Sequence, residues 1–264
     1  MLLQLLIYLL LGTVAGTIAG LFGIGGGLII VPILHYSFVK LGFPKELIMH
    51  MALGTSLSTI FVTGMSSVYS HNKLGSIDWV VFKKLLGGVI IGTFIGGRLT
   101  GIISGKSLEI LFIVYVCVVA LKTWIDAHVH PQSKPTSMLI FNLFGFIIGF
   151  KSSLLGIGGG TISIPFLTWR GFSMKKSVGI SATLGLPIAL VGSASYIYNG
   201  LSIGNLPEYS VGYIYLPALI GITSVSSLFA RFGAKLSHKF PQDKMRKGFA
   251  LLLVAIAIKG LASL

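Results

Sequence analysis

Charge is the scarcest commodity in this chain. Of its 264 residues 10% are charged and 54% are hydrophobic, whereas a soluble domain carries about 25% charged residues. So few cannot form a water-facing shell, which excludes an ordinary soluble globule. Carboxylates are rarer still. The six acids, Glu46, Asp78, Glu109, Asp126, Glu208 and Asp243, all fall in connectors or at the ends of apolar segments. A cation pathway or a carboxylate proton relay needs an acid deep in the bilayer, so this placement favours an anion or a neutral solute. The single cysteine, Cys117, excludes a disulfide within the chain. No nucleophile–base constellation is present, which argues against an enzyme. The net charge of +14 does not point to nucleic acid, because the Lys and Arg residues lie in short connectors and not along one amphipathic face. Connectors of that kind set membrane orientation.

What the chain does have is long apolar runs, several of them near the roughly 18 residues needed to cross a hydrocarbon core. Ten segments stand out, at about 2–22, 28–39, 47–70, 79–97, 107–124, 138–155, 161–169, 178–198, 211–230 and 246–262. The first lacks the basic head of a secretory signal and reads as a retained membrane helix. The longest polar stretch, DAHVHPQSKPTS at 126–137, reads as a linker between a first membrane unit, 1–125, and a second, 138–264. His128 and His130 within it lack the Cys or carboxylate company of a metal site.

The two units are related. Residues 21–34 read LFGIGGGLIIVPIL and residues 154–167 read LLGIGGGTISIPFL, identical at nine of 14 positions. Downstream the pattern weakens but persists, pairing Thr55 with Thr183, Gly64 with Gly192 and Ser67 with Ser195. Internal duplication is common among transporters. If all ten segments cross, one face collects fourteen Lys and Arg against four (Lys40, Lys45, Arg98 and Lys106) on the other. The positive face is then cytoplasmic, both termini are outside, and five segments per unit make the repeats inverted. Merging each glycine-flanked pair into one broken crossing leaves eight spans and parallel repeats, with thirteen against five.

The glycine blocks are the strongest local feature. Segment 161–169 makes only about 14 Å of helix and 28–39 roughly 18 Å, too short to cross. The turns at Gly25–Gly27 and Gly158–Gly160 are therefore expected within the membrane thickness. Irregular backbone survives there only when buried in protein or lining a watery cavity. A half-helix starting at such a break presents free N–H groups and the positive end of its dipole, which suits an anion. The competing reading is that the glycines only let helices pack closely.

Lys151 lies about 20 Å into segment 138–155 at helical rise, and Ile18 stands at the matching place in the first unit. A lysine at that depth is a functional candidate by default, unless it snorkels to an interface. Thr55, Thr59, Thr63, Ser66 and Ser70 share one helix face, fit to line a path or to form a packing seam. Gly88, Gly92 and Gly96 form a small-residue ladder and are assigned to packing.

With its two glycine blocks, the prolines Pro32 and Pro165, and Ala52-Leu-Gly-Thr55-Ser56-Leu57, the chain resembles the TauE/SafE family of sulfite exporters and related anion permeases over essentially its whole length. The resemblance implies transport of sulfite, sulfonates or other sulfur-containing anions, with no cofactor. It also implies that the glycine blocks and Thr55-Ser56 lie near the substrate path. The second unit departs at Leu184, where the first has Ser56.

The expectation is therefore an all-α polytopic protein of a prokaryotic cell membrane, with two repeats of about five helical segments. Its partners are a small anion and the lipid bilayer, with self-association left open. The candidate substrate-binding set is Gly23, Gly25, Gly26, Gly27, Thr55, Ser56, Lys151, Gly156, Gly158, Gly159, Gly160, Thr161 and Thr183. A channel-like pore, marked by non-saturating flux, and a non-transporting scaffold, marked by no flux, are the alternatives.

Overall fold

The computed structural model describes residues 2–23, 25–125 and 137–237, together with 248, 251 and 253–258. Its helices are α1 (Leu2–Phe22), α2 (Gly27–Lys40), α3 (Lys45–Lys73), α4 (Trp79–Leu99), α5 (Gly105–Ile125), α6 (Met138–Leu154), α7 (Gly160–Trp169), α8 (Met174–Gly200) and α9 (Leu216–Ser237). Residues 253–258 are helical as well. Four helices, α3, α4, α8 and most of α9, are long and apolar enough to cross a membrane. α2 and α7, with 14 and 10 residues, reach only about 21 and 15 Å.

Helix starts follow from local chemistry. Asp78 accepts from the amides of Val80 and Val81 to cap α4. Ser137 and Ser173 cap α6 and α8 in the same way, satisfying amides that a helix leaves open at its first turn. One expected segment is corrected at its beginning. Residues 211–215 are not helical, because Ser210–Val211 and Ile214–Tyr215 pair as a short antiparallel hairpin, turned at Gly212 with φ 54°. The helix begins only at Leu216. The 126–136 part of the expected linker lies outside the described residues.

The core is the pair α3 and α8. Within their most apolar windows, 83% of α3 and 67% of α8 is buried, against 33% for α9. The two helices run antiparallel: Gly54 meets Tyr196, Leu57 meets Gly192, and Gly64 meets Leu186. Around them each half lends its first helix to the fourth of the other. Gly12, Gly16 and Gly20 of α1 close on the backbone of Ile222, Ser226 and Ala230 of α9. Gly88, Gly92 and Gly96 of α4 close on Asn142, Phe146 and Phe150 of α6. Both seams run parallel, and both admit only residues without a side chain to hold the backbones apart. The outer faces carry exposed apolar residues, such as Leu10 and Val14 on α1, Ile91 and Phe94 on α4, and Val114 and Val118 on α5. That is the surface expected of a lipid-facing wall.

Candidate functional site at the glycine breaks

Both glycine blocks are breaks between helices. The first separates α1 from α2 and the second separates α6 from α7. They meet. A methyl group on Gly25 would lie 3.2 Å from the Cα of Gly158, and one on Gly27 would strike Ile157 and come within 3.1 Å of Ser56 Oγ. Gly25 has φ 76°, a left-handed conformation that costs any residue with a Cβ roughly 1–2 kcal/mol. Glycine is required there on both counts.

The central helices strap the breaks crosswise. Ser56 of α3 donates to the Gly156 carbonyl at 2.7 Å, and Ser181 of α8 donates to the Gly23 carbonyl at 2.7 Å. Leu53 lies against Gly156 as Val178 lies against Gly23, and Gly54 and Gly179 both press on the chain that leads into the next helix, at Tyr213 and Ser76. By contact, then, the counterparts are Leu53 with Val178, Gly54 with Gly179 and Ser56 with Ser181. This corrects the sequence pairing of Thr55 with Thr183 by three residues. The reason is a shortened hairpin. α7 has four residues fewer than α2. Ser181 lies seven residues after the start of α8, whereas Ser56 lies 11 after the start of α3. Each leg has lost about one helical turn, which keeps the inward face unchanged.

The second break carries a charge. Lys151, in the last turn of α6, donates from Nζ to Tyr115 Oη of α5 at 2.5 Å and to Thr161 Oγ1 of α7 at 2.7 Å. Its ammonium also lies 4.3 Å from the Tyr115 ring centre. Tyr115 donates its own hydroxyl proton to Thr161 Oγ1. Among the described residues no carboxylate lies within ion-pair distance of Lys151.

The proton count is informative. An ammonium has three N–H donors, and two are used. Thr161 accepts twice, so its own O–H is left to donate. Two donors and the amino end of α7 therefore converge beside a positive charge that has no counter-ion. Ser152, next to Lys151, and Ser163, in the first turn of α7, are buried hydroxyls without a partner. An unpaired cation in an apolar interior is costly, and an oxyanion bound beside it would offset that cost.

The remaining candidates divide. Gly23, Gly26, Gly27, Gly156, Gly159 and Gly160 are buried in the breaks themselves. Thr55 is fully buried but faces the hairpin, accepting from the Tyr215 amide at 3.0 Å. Thr183 donates to the Gly179 carbonyl. Along the hydroxyl face, Thr63 shares a hydrogen with Ser226 at 2.7 Å and Ser70 returns to the Ser66 carbonyl. Much of that face is occupied by packing. Tyr115 was not among the candidates read from sequence, since one tyrosine in an apolar run carries no spacing signal. Ser181 was hidden by the shortened hairpin.

Three comparisons bear on this arrangement. The model of the family described as sulfite exporter TauE/SafE matches residues 8–260. A probable membrane transporter protein of Haemophilus influenzae is 41% identical over 258 residues, covering 96% of this chain and 97% of the relative. One from Methanocaldococcus jannaschii is 28% identical over 247 residues, covering 93% and 91%. No solved structure matches the chain significantly.

Proposed function

This chain belongs to the sulfite exporter TauE/SafE family of membrane transporters, and from that premise we propose that it carries a small sulfur oxyanion, sulfite or an organosulfonate, through a site at the second glycine break. The observation that carries the reading is the Lys151 ammonium. It is held by Tyr115 and Thr161 at the amino end of α7 and has no carboxylate partner among the described residues. A tetrahedral or pyramidal sulfur oxyanion presents several acceptor oxygens to donors that already converge. The remaining Lys151 N–H and the Thr161 hydroxyl bind it, and the α7 dipole adds positive potential.

Movement follows from the crossed architecture. The halves act as inverted repeats, a reading supported by the antiparallel run of α3 against α8, which are counterparts by contact. Rocking one half against the other exposes the breaks alternately to each side. On this reading the protein spans the cell membrane with both termini outside.

The test is flux in proteoliposomes of purified protein, with sulfite, thiosulfate, sulfoacetate and sulfate compared. Saturable flux of one of them, lost in Lys151→Ala, is the expected result. No flux above empty vesicles from folded protein would overturn the assignment, and non-saturating flux would favour a pore.

A further inference from the structure

Charge enters the apolar body at a second place, apart from Lys151. His35 lies on α2, beyond the proline inside that helix, Pro32. Its Nε2 stands 3.4 Å from Oε1 of Glu109, in the second turn of α5. The two side chains are 24% and 18% exposed, neither sealed nor free in solvent. They form the one base–carboxylate pair within 4.0 Å among the described residues. The pair stands on the wall of a cavity of about 260 Å³. Ile29, Met49, Phe112 and Val116 are among its apolar lining, and Ile256 and Ala257 close it from the C-terminal stretch.

The groups facing the pair are few. Tyr36 on α2 lines the same cavity, and Lys106 lies one turn earlier on α5. α3 faces the cavity with Met49. His50, one residue on, points away to the carbonyls of Thr100 and Ile103. Lys40 lies over the Tyr36 ring at 5.7 Å. No second carboxylate lines the cavity among the described residues.

Resting on the transporter reading above, we propose that the His35–Glu109 pair is a proton-binding site that couples anion movement to a proton. Three features carry this. The base is histidine, the side chain that gains and loses a proton near neutral pH, not a permanently charged lysine or arginine. The surroundings are apolar, so the protonated pair is neutral overall. Loss of the proton leaves a lone carboxylate on an apolar wall, which is unfavourable. Finally, α2 joins this pair to the transport site. Its amino end is the break at Gly25–Gly27 that touches Gly158, so separation of α2 from α5 bears directly on the breaks. Proton binding holds α2 to α5, and proton release frees it. The proton travels with the anion, because its positive charge offsets one negative charge that would otherwise be taken through the apolar body.

Two measurements test this. In proteoliposomes with clamped membrane potential, an outside-acid gradient should drive wild-type protein to accumulate sulfoacetate. Glu109→Gln should lose that accumulation at least tenfold while exchanging labelled for unlabelled sulfoacetate at equal pH within twofold of wild type. His35→Gln should behave likewise. Independently of any substrate, infrared difference spectra of the purified protein between roughly pH 5 and pH 8 should contain an imidazole band that His35→Gln abolishes. Flux that ignores the pH gradient in wild type, or accumulation by Glu109→Gln equal to wild type, overturns proton coupling and leaves the transporter reading standing. Absence of any sulfoacetate, sulfite, thiosulfate or sulfate flux sinks the transporter reading, and the infrared result then decides whether the pair binds a proton. A spectrum unchanged by His35→Gln overturns the proposal outright.

Discussion

The two glycine breaks share nine of 14 residues over 21–34 and 154–167, yet they are not the same structure. Gly23 and Gly156 agree, with φ 63° and 64°. Three residues later they part: Gly26 has φ 75°, while its counterpart Gly159 has φ −66°. The chemistry parts as well. Where the second break has Lys151 and Thr161, the first has Ile18 and Leu28. The chain has two breaks and two crossed straps, but the charged cluster is built on one of them only. A scaffold can be symmetric in shape while binding on one side, because shape depends on small residues and hydrogen-bonded backbone, whereas binding needs particular charged groups.

The sharpest way to break that comparison is at the lysine. Lys151→Ala should lower anion kcat/KM by about 100-fold, the loss of a charge-assisted donor worth roughly 1.5–3 kcal/mol. Adding Ile18→Lys to it should not restore flux, since the first break has no counterpart of Thr161. Recovery in the double variant would mean that the halves are interchangeable after all.

Next in size is Gly25→Ala, which meets both a left-handed φ and the Gly158 backbone. It should cost about 2 kcal/mol or more and lower the melting temperature in detergent by several degrees. Gly159→Ala, at an ordinary φ and against the side chains of Ile148 and Ile188, should cost less. The reverse order would say that the second break is the tighter one.

The straps should come out equal. Ser56→Ala and Ser181→Ala each remove one buried hydrogen bond, about 1 kcal/mol apiece, and their melting temperatures should fall by similar amounts. By the pairing read from the sequence, Ser56 answers to Leu184 and Ser181→Ala has no reason to match Ser56→Ala, so the two variants together check the register. The smallest effect is expected for Tyr115→Phe. It keeps the aromatic face under Lys151 and removes one hydroxyl, so flux should fall by only about threefold to tenfold.

Much of the fold is legible in the residues. Each of the first nine apolar segments corresponds to a helix, and the two shortest became the half-length α2 and α7, because a hydrophobic run has nowhere to end except at a polar or glycine break. The helix ladder Gly88, Gly92 and Gly96 packs against α6 as its spacing demands. The candidate site is legible only in part. Lys151 announces itself by being charged where charge is costly. Tyr115 and Ser181 do not, since a phenol or a hydroxyl in an apolar helix is cheap enough to occur anywhere. The His35–Glu109 pair is invisible for another reason: its partners are 74 positions apart in the chain, and each alone sits unremarkably toward the end of a segment.

Composition and pattern alone determined a helical membrane protein with two related halves, two glycine breaks and one deep lysine. Those properties are local, set by transfer free energy and by the backbone freedom of single residues. Only the tertiary structure decided which half holds which break, which serine answers which carbonyl, and where the ammonium finds its hydroxyls. Most of those contacts join residues more than 30 positions apart, often across the halves. A helical turn missing from each leg of one hairpin is enough to shift their register while keeping the same inward face.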